Sequence, residues 1–360
     1  MRWALRFADV SRHLNEICQL TYRVSRWKSR SIEERDIERK RLGSSNLYLS
    51  LIGIGGNKFG TNLNSKTMTR EVLDTALDLG INFIDTAAAY GEGESETFFG
   101  EALRGRRDQF IVSTKTYLSD RGAVPVAEHL RQRCAESLRK LETDYVDLYQ
   151  IHRADPNVPT EEVMLGLNEL VQAGMVREIG CSNYATWRLA ESNLFASDAT
   201  VAHFVSIQRE YNLLKRSAES ELVDACRHFD VSIIPYFPLA SGLLWRGEFN
   251  GKERWPVSSA ARQAHIKRAQ SVMTALQGFA NSAGHTLGQL AIAWLTAKDF
   301  TGPVITGVRS AEQLRANAAA SEWRLSPDEL AIVDEISSMG DEIRADDPFG
   351  RAAPPKTGGT

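Results

Sequence analysis

Four side chains of this sequence have the types needed to move a proton at a carbonyl oxygen. Asp85 and Tyr90 lie within the stretch Gly80–Glu101, and Lys115 and His152 follow further along the chain. We expect Asp85 and Lys115 to form an ion pair in a poorly solvated site. A cation held near Tyr90 lowers the pKa of the phenol from its reference of about 10 toward neutrality.

A tyrosine with a lowered pKa can donate a proton to a carbonyl oxygen or withdraw one from an alcohol. His152 can donate a hydrogen bond to the same oxygen and orient the substrate. The sequence pattern indicates no activated serine, no metal cluster and no second catalytic carboxylate. Protonating a carbonyl oxygen is half of a carbonyl reduction. The other half is a hydride, which no side chain supplies, so a cofactor is implied.

The stretch that carries Asp85 and Tyr90 has the pattern of one βα unit. A short apolar strand, Ile81–Ile84, ends at the carboxylate. A loop of small residues carries the tyrosine, and a turn with two glycines, Gly91–Gly93, precedes a helix that opens at Ser95 with Glu96 in its first turn. In parallel α/β proteins, the carboxyl ends of the strands are where chemistry occurs.

The rest of the chain repeats this pattern and predicts a closed barrel. Eight strand and helix segments alternate strictly, which indicates parallel strands joined by helical crossovers. We expect a (β/α)8 TIM barrel, with an N-terminal β-hairpin within Arg41–Leu49 and an extra C-terminal helix at Pro327–Ile336. An open doubly wound sheet is the alternative. It needs a Gly-x-Gly-x-x-Gly turn after the first strand, and Gly53–Asn57 does not have that spacing.

Polar side chains end most of the predicted strands. In a barrel these ends face one mouth, so we expect the side chains to converge there. The residues are Asp85, Lys115, His152, Ser182, Asn183, Gln208, Tyr236 and Arg309.

From about Lys40 to Ile336 the chain resembles the aldo-keto reductase family. The resemblance is carried by GINFIDTAAAYGEGESE, by the Ser-Thr-Lys ending at Lys115, by DYVDLYQIH, by REIGCSNY and by GVRSAEQLRAN. It implies a barrel that binds NADPH in extended form across the mouth. It also implies that Asp85, Tyr90, Lys115 and His152 form a catalytic tetrad in which Tyr90 is the general acid.

The resemblance implies a set of cofactor contacts as well. Ser182, Asn183 and Gln208 match positions that bind the nicotinamide carboxamide, Tyr236 matches the ring that stacks on nicotinamide, and Arg309 would meet the 2′-phosphate. The other expected cofactor-binding residues are Gly56, Asn57, Phe237, Pro238, Leu239, Ser241, Leu243, Gly307, Gln313 and Asn317. The lysine that usually follows the pyrophosphate loop is missing, with Arg246 or Lys252 as candidate replacements, and Ala316 stands where relatives often have a glutamate.

The composition of the chain limits the classes of protein to which it can belong. The chain has 360 residues, of which 42% are hydrophobic and 25% charged, with a formal charge of −3. These values are typical of a globular protein and give no basic footprint for nucleic acid. No apolar run approaches the roughly 20 residues that span a bilayer. The four scattered cysteines fit a reducing compartment, so we expect a cytoplasmic protein. We expect an extension at 1–39, the barrel at 40–340 and a mobile tail at 341–360.

Two alternatives to a reductase use the same residues. Some barrels of this family are regulatory subunits of potassium channels that sense the redox state of the cofactor. An aldolase-like barrel would use Lys115 as a Schiff-base amine. For the reductase, we expect a small carbonyl or sugar substrate between walls at 57–59, 117–121 and 245–255, with Phe59 and Trp255 as apolar lining. The oligomeric state stays open.

Overall fold

A computed structural model describes residues 38–61, 65–247 and 260–338, with side chains from residue 269 onward in the last range. Ten β-strands lie within these residues. They are β1 (Arg39–Arg41), β2 (Tyr48–Ser50), β3 (Ile52–Gly55), β4 (Phe83–Asp85), β5 (Ile111–Thr116), β6 (Val146–Ile151), β7 (Val176–Ser182), β8 (Phe204–Glu210), β9 (Ser232–Tyr236) and β10 (Val304–Gly307).

Strands β3 to β10 form one eight-stranded sheet of parallel neighbours, in the order β10-β3-β4-β5-β6-β7-β8-β9. The two edges meet where the Ile233 amide donates to the Phe300 carbonyl at 3.0 Å and the Gly302 amide donates to the Ile233 carbonyl at 2.8 Å. These bonds bring β9 alongside the segment that leads into β10. The predicted (β/α)8 barrel is therefore confirmed.

Eleven α-helices lie within the described residues, and those between the strands supply the crossovers. Their apolar faces follow the helical period, as in the buried series Leu130, Cys134 and Leu138 of one helix. The helices are α1 (Lys66–Asp78), α2 (Glu94–Leu103), α3 (Val126–Lys140), α4 (Thr160–Gln172), α5 (Thr186–Ala199), α6 (Leu222–His228), α7 (Leu243–Arg246), α8 (Ala260–Ser282), α9 (Leu287–Ala297), α10 (Ala311–Ser321) and α11 (Pro327–Ser338).

The predicted N-terminal hairpin is present and closes one end of the barrel. Strands β1 and β2 pair antiparallel. The connecting turn and β2 contribute Leu42, Leu47 and Leu49, which join a buried apolar cluster with strand residues Phe83, Leu148, Val205, Ile234 and Ile305. Because the hairpin covers the amino ends of the strands, the carboxyl ends are the open mouth.

The extra C-terminal helix, α11, is fixed to the barrel through Asp334. Its carboxylate accepts hydrogen bonds from Trp294 Nε1 at 2.9 Å and from Lys298 Nζ at 2.7 Å. Its backbone carbonyl accepts from Arg216 Nη1 at 2.8 Å. These bonds join α11 to α9 and to the segment between β8 and α6.

Some strands run further toward the mouth than the apolar pattern indicates. The apolar run Phe204–Ile207 predicts a strand that ends at Gln208, whereas β8 continues to Glu210. The polar residues from Gln208 to Glu210 stay in register with β9, so ladder hydrogen bonds extend the strand beyond its apolar part.

The predictions made for the two ends of the chain concern residues 1–39 and 341–360. Apart from residues 38 and 39, these lie outside the described residues. No described helix is long and apolar enough to cross a bilayer.

Candidate active site

A buried pair of opposite charges lies at the carboxyl ends of β4 and β5. Lys115 Nζ donates to Asp85 Oδ2 at 2.7 Å and to the Thr86 carbonyl at 2.7 Å. The Lys115 side chain is 0% exposed and that of Asp85 is 3% exposed. Burial raises the pKa of the Asp85 carboxyl and lowers the pKa of the Lys115 ammonium, and their mutual contact opposes both shifts.

The second oxygen of Asp85 faces two glutamines inside the barrel. Gln208 Nε2 donates to Asp85 Oδ1 at 3.1 Å, and Gln150 Nε2 approaches the same atom at 3.5 Å. Gln150 also donates to Ser113 Oγ at 2.7 Å. Gln150 is not among the site residues predicted from the sequence. Its signal was an amide within the otherwise apolar end of β6, where an uncharged polar residue needs a buried partner.

The loop after β4 places Tyr90 over this pair. The Ala88 amide donates to the Lys115 carbonyl at 3.1 Å, which continues the β4–β5 pairing past the end of the strand. Tyr90 begins a short 3₁₀ turn in which Gly91, Glu92 and Gly93 have positive φ angles. A Cβ at Gly91 would lie 2.6 Å from the Phe59 carbonyl oxygen. Glycine is therefore required there both by conformation and by space.

The expected lowering of the Tyr90 pKa is wrong. Burial raises the pKa of the phenol above its usual range, and the nearby Asp85 carboxylate and Tyr117 add to the effect. Lys115 Nζ lies 5.1 Å from the centroid of the Tyr90 ring, and its two hydrogen bonds are made to Asp85 and Thr86. Because Asp85 compensates the charge of the Lys115 ammonium, burial decides the direction in which the pKa of Tyr90 shifts. The phenol therefore keeps its proton at neutral pH.

His152 lies between two aromatic rings at the end of β6. Its amide donates to the Thr116 carbonyl at 2.8 Å, extending the β5–β6 pairing. Its ring meets Tyr90 edge-on at a centroid distance of 5.7 Å and stacks on Tyr117 at 4.5 Å with an interplanar angle of 13°. The structure thus brings Asp85, Tyr90, Lys115 and His152 together, and it adds Tyr117, which the sequence suggested only as part of a pocket wall.

The predicted nicotinamide-binding residues form a hydrogen-bonded group beside this cluster. Asn183 has a φ of 58°, and its side-chain amide donates to Ser182 Oγ at 2.9 Å and to the His152 carbonyl at 3.2 Å. Tyr236 donates its hydroxyl to Asn183 Oδ1 at 2.7 Å. The tyrosine ring, which is partly exposed, is thereby fixed at the end of β9.

The segment after β9 has a backbone suited to an anion. Phe237, Ala240, Ser241 and Gly242 all have positive φ angles, and the segment leads into α7. Turns of this kind expose successive backbone amides, which can bind phosphate oxygens. Of the predicted residues in this segment, Phe237 and Ser241 are exposed, Leu239 is partly buried, and Pro238 and Leu243 are buried.

The remaining predicted cofactor residues lie around β3 and β10. Three of them are exposed: Gly307 ends β10, Arg309 precedes α10, and Gln313 lies in the first turn of that helix. The Arg309 amide donates to Gln313 Oε1 at 2.8 Å. Asn317 is buried further along that helix. The other two, Gly56 and Asn57, directly follow β3, and Gly56 packs so closely that a Cβ would lie 2.9 Å from the Asp85 carbonyl oxygen.

One residue predicted to line the pocket, Phe59, does not do so. Phe59 is 0% exposed and packs on Phe99 with ring centroids 4.6 Å apart, so it belongs to the core and does not line the mouth. Trp245, in another predicted wall, is 63% exposed. Trp255 and Lys252 lie outside the described residues. Arg246, the other candidate for the missing lysine, is exposed at the end of α7.

Comparison with known proteins assigns the family. The chain matches the Aldo/keto reductase family over residues 51–338. It belongs to that family. The matched range covers all eight barrel strands and their helices, including the four residues of the predicted tetrad.

Curated relatives agree with this assignment. The chain is 32% identical over 310 residues to the uncharacterized oxidoreductase YrpG of Bacillus subtilis, covering 82% of this chain and 94% of the relative. It is 32% identical over 318 residues to the aldo-keto reductase YhdN of the same species, covering 85% and 92%. It is also 29% identical over 317 residues to a probable voltage-gated potassium channel subunit beta of Oryza sativa, covering 83% and 95%.

Members of this family are oxidoreductases that act on small carbonyl compounds, and they typically use a nicotinamide cofactor. The residues at the mouth suit such a cofactor. They include an aromatic ring at the end of β9, amide and hydroxyl groups at the ends of β7 and β8, and a left-handed turn before α7. An apolar-ring platform, amide-binding groups and phosphate-binding amides are what a dinucleotide requires.

Proposed function

We propose that the protein catalyses the reversible, NADPH-dependent reduction of an aldehyde or ketone to an alcohol. The observation that carries the proposal is the buried contact between Lys115 and Asp85, with Tyr90 over it and His152 at its side. This group combines a proton donor, a charge beneath it and a hydrogen-bond donor beside it at the open mouth of the barrel.

Tyr90 serves as the general acid. Because burial raises the pKa of its phenol, the hydroxyl carries a proton at neutral pH and can give it to the substrate oxygen. His152 donates a hydrogen bond to the same oxygen and holds the carbonyl in position. Lys115 is kept charged by Asp85 and stabilises the negative charge that remains on Tyr90 after proton transfer. The bound cofactor supplies the hydride.

The cofactor is held by residues of the second half of the barrel. Ser182, Asn183 and Gln208 would bind the carboxamide of the cofactor, and Tyr236 would support its nicotinamide ring. Amides of the 237–243 turn bind the pyrophosphate. Arg309, exposed at the start of α10, contacts the 2′-phosphate and gives the preference for NADPH.

A steady-state assay tests the proposal directly. Purified protein is mixed with NADPH and a panel of aldehydes, ketones and sugars, and oxidation of NADPH is followed at its absorbance maximum. The reverse reaction is followed with the matching alcohols and NADP⁺. We expect turnover with at least one substrate class in both directions. Tight NADPH binding with no turnover across the panel would refute the proposal.

A regulatory subunit of the channel type is the second candidate, and the Oryza sativa relative is the observation that favours it. Such a protein binds the cofactor while turnover is incidental, so the same assay separates the two functions. The aldolase alternative needs an accessible amine at position 115. The full burial of Lys115 and its two hydrogen bonds weigh against it. Trapping with borohydride and a carbonyl substrate should leave Lys115 unmodified.

A further inference from the structure

The first turn of α2 is hydrogen-bonded to β5 and to the segments that directly follow β3 and β4. Ser95 Oγ donates to the Gly56 carbonyl at 2.8 Å and lies 2.8 Å from Thr86 Oγ1. One residue later, Glu96 Oε1 accepts a hydrogen bond from Thr114 Oγ1 at 2.6 Å. Both side chains are 0% exposed. The helix start is therefore tied to the end of β3, to the loop after β4 and to β5.

The partners of these two residues are neighbours of the proposed catalytic groups. Thr86 directly follows Asp85, and Thr114 directly precedes Lys115. The helix that carries Ser95 and Glu96 begins right after the turn that holds Tyr90. The bonds of Ser95 and Glu96 therefore set the position of the Tyr90 turn relative to the two strands that deliver the ion pair.

Packing alone does not account for Glu96. A buried carboxyl group costs free energy unless it is hydrogen-bonded, and an apolar side chain fills the same volume without that cost. Burial raises the pKa of the Glu96 carboxyl, and hydrogen bonding with Thr114 and, less strongly, with Ser137 on α3 opposes the shift. Of these contacts, the bond from Thr114 is directed to one atom of β5, next to Lys115, and an apolar residue could not make it.

We propose that Ser95 and Glu96 are positioning residues that hold the Tyr90 turn over the Asp85–Lys115 pair. This inference rests on the proposed function, which makes Tyr90 the general acid. Under this proposal, neither Ser95 nor Glu96 touches the substrate or the cofactor. Each acts through the position of Tyr90, where a displacement of about 1 Å can cost on the order of 100-fold in rate.

The test is a set of variants around the Glu96–Thr114 bond. In Glu96→Ala and in Thr114→Val, kcat should fall roughly 10- to 100-fold while the NADPH dissociation constant stays within about twofold. The double variant should be no slower than the worse single variant, because both remove the same bond. Glu96→Gln should restore most of kcat, since its amide oxygen also accepts from Thr114. Glu94→Gln, an exposed acid of the same helix turn, is the matched control.

Hydrogen–deuterium exchange supplies a readout that does not depend on activity. The peptide covering residues 86–94 should take up deuterium faster in Glu96→Ala and Ser95→Ala than in the wild type and in Glu94→Gln. If the wild type lacks reductase activity, the proposed function fails while exchange still tests the positioning role. The positioning proposal is overturned if exchange is unchanged, or if kcat and the NADPH dissociation constant change together. If Glu96→Ala does not fold, Thr114→Val and Ser95→Ala give the same decision.

Discussion

The imidazole of His152 stacks face to face on the ring of Tyr117, with centroids 4.5 Å apart and planes 13° from parallel. The backbone of Tyr117 is itself fixed, because its carbonyl lies 3.0 Å from His129 Nε2 on α3. On its other side, His152 meets the edge of Tyr90. The proposed hydrogen-bond donor to the substrate is thus held between two rings, which restricts the orientation of the imidazole.

Replacing Tyr117 tests this restriction. Tyr117→Leu removes the stacking partner, and aromatic pairs contribute about 0.5–1.5 kcal/mol, so kcat/KM should fall roughly two- to twelvefold. Tyr117→Phe keeps the ring and should stay close to the wild type. The measurement is kcat/KM of the wild type and of the two variants with one aldehyde under steady-state conditions. Equal losses in the two variants would assign the effect to the hydroxyl and contradict the stacking role.

Tyr90→Phe tests the general acid. The ring shape is kept, so cofactor binding should be nearly unchanged, while loss of the proton donor should lower kcat by about 10²–10⁴. Fluorescence quenching by NADPH measures binding, and single-turnover reduction measures the chemical step. Tyr48→Phe, an exposed tyrosine of the N-terminal hairpin, is the control and should leave both quantities unaltered. Turnover of Tyr90→Phe within about threefold of the wild type would refute the assignment.

The barrel and the clustering of Asp85, Tyr90, Lys115 and His152 could be predicted because both depend on the order of segments along the chain. Most of the barrel strands are followed by or end in a polar residue, and parallel pairing brings those ends to one mouth. The apolar pattern predicts that the strand beginning at Phe204 ends at Gln208, whereas β8 continues to Glu210. Backbone hydrogen bonds do not require an apolar side chain, so the strand extends two residues further than its apolar run indicates.

Properties that depend on distance and burial could not be predicted. Lys115 was expected to lower the pKa of Tyr90, but the direction is set by burial and by how closely Asp85 compensates the ammonium. Phe59 was expected at a pocket wall, yet the side on which it packs is decided by contact with Phe99, which is 40 residues away along the chain. The amide of Gln208 is bonded to Asp85, a link between two predicted sites that no spacing indicates.

Lys115→Met should destabilise the protein in a pH-dependent way. It leaves Asp85 buried without its cation, and breaking a buried pair in this way costs about 3–5 kcal/mol. Burial already raises the pKa of Asp85, and losing the ammonium removes the main opposing effect. A folded-state pKa above the unfolded one means that the folded protein binds the proton more tightly. The contribution of Asp85 to the stability of the variant is therefore fully present at low pH and is lost as the pH rises through the folded-state pKa.

The measurement is the thermal midpoint of the wild type and of Lys115→Met from mildly acidic to mildly alkaline pH. We expect the difference between the two midpoints to grow as the pH rises. The double variant Asp85→Asn with Lys115→Met has no buried carboxyl at this position, so its difference from the wild type should vary much less with pH. A midpoint difference for Lys115→Met that is the same at every pH would show that Asp85 is not the responsible group.

Arg309 should decide the choice between NADPH and NADH. It is exposed in the segment between β10 and α10, close to helix amides that favour an anion. NADPH carries a 2′-phosphate that NADH lacks, and a charge-assisted hydrogen bond contributes about 1.5–3 kcal/mol, or roughly 10- to 150-fold in affinity. Arg309→Ala should weaken NADPH binding by that factor and leave NADH binding nearly unchanged.

The dissociation constants of both cofactors, measured by fluorescence titration at low and high salt, check this prediction. Because Arg309 is exposed, the preference of the wild type for NADPH should shrink as the salt concentration rises. Arg315→Ala removes an exposed arginine of α10 whose guanidinium lies 3.4 Å from Thr75 Oγ1 of α1, and it should keep the preference. Equal affinity of the wild type for NADH and NADPH would remove the role given to Arg309. It would leave the predictions for Tyr90, Lys115 and Tyr117 standing, since none of them involves the 2′-phosphate.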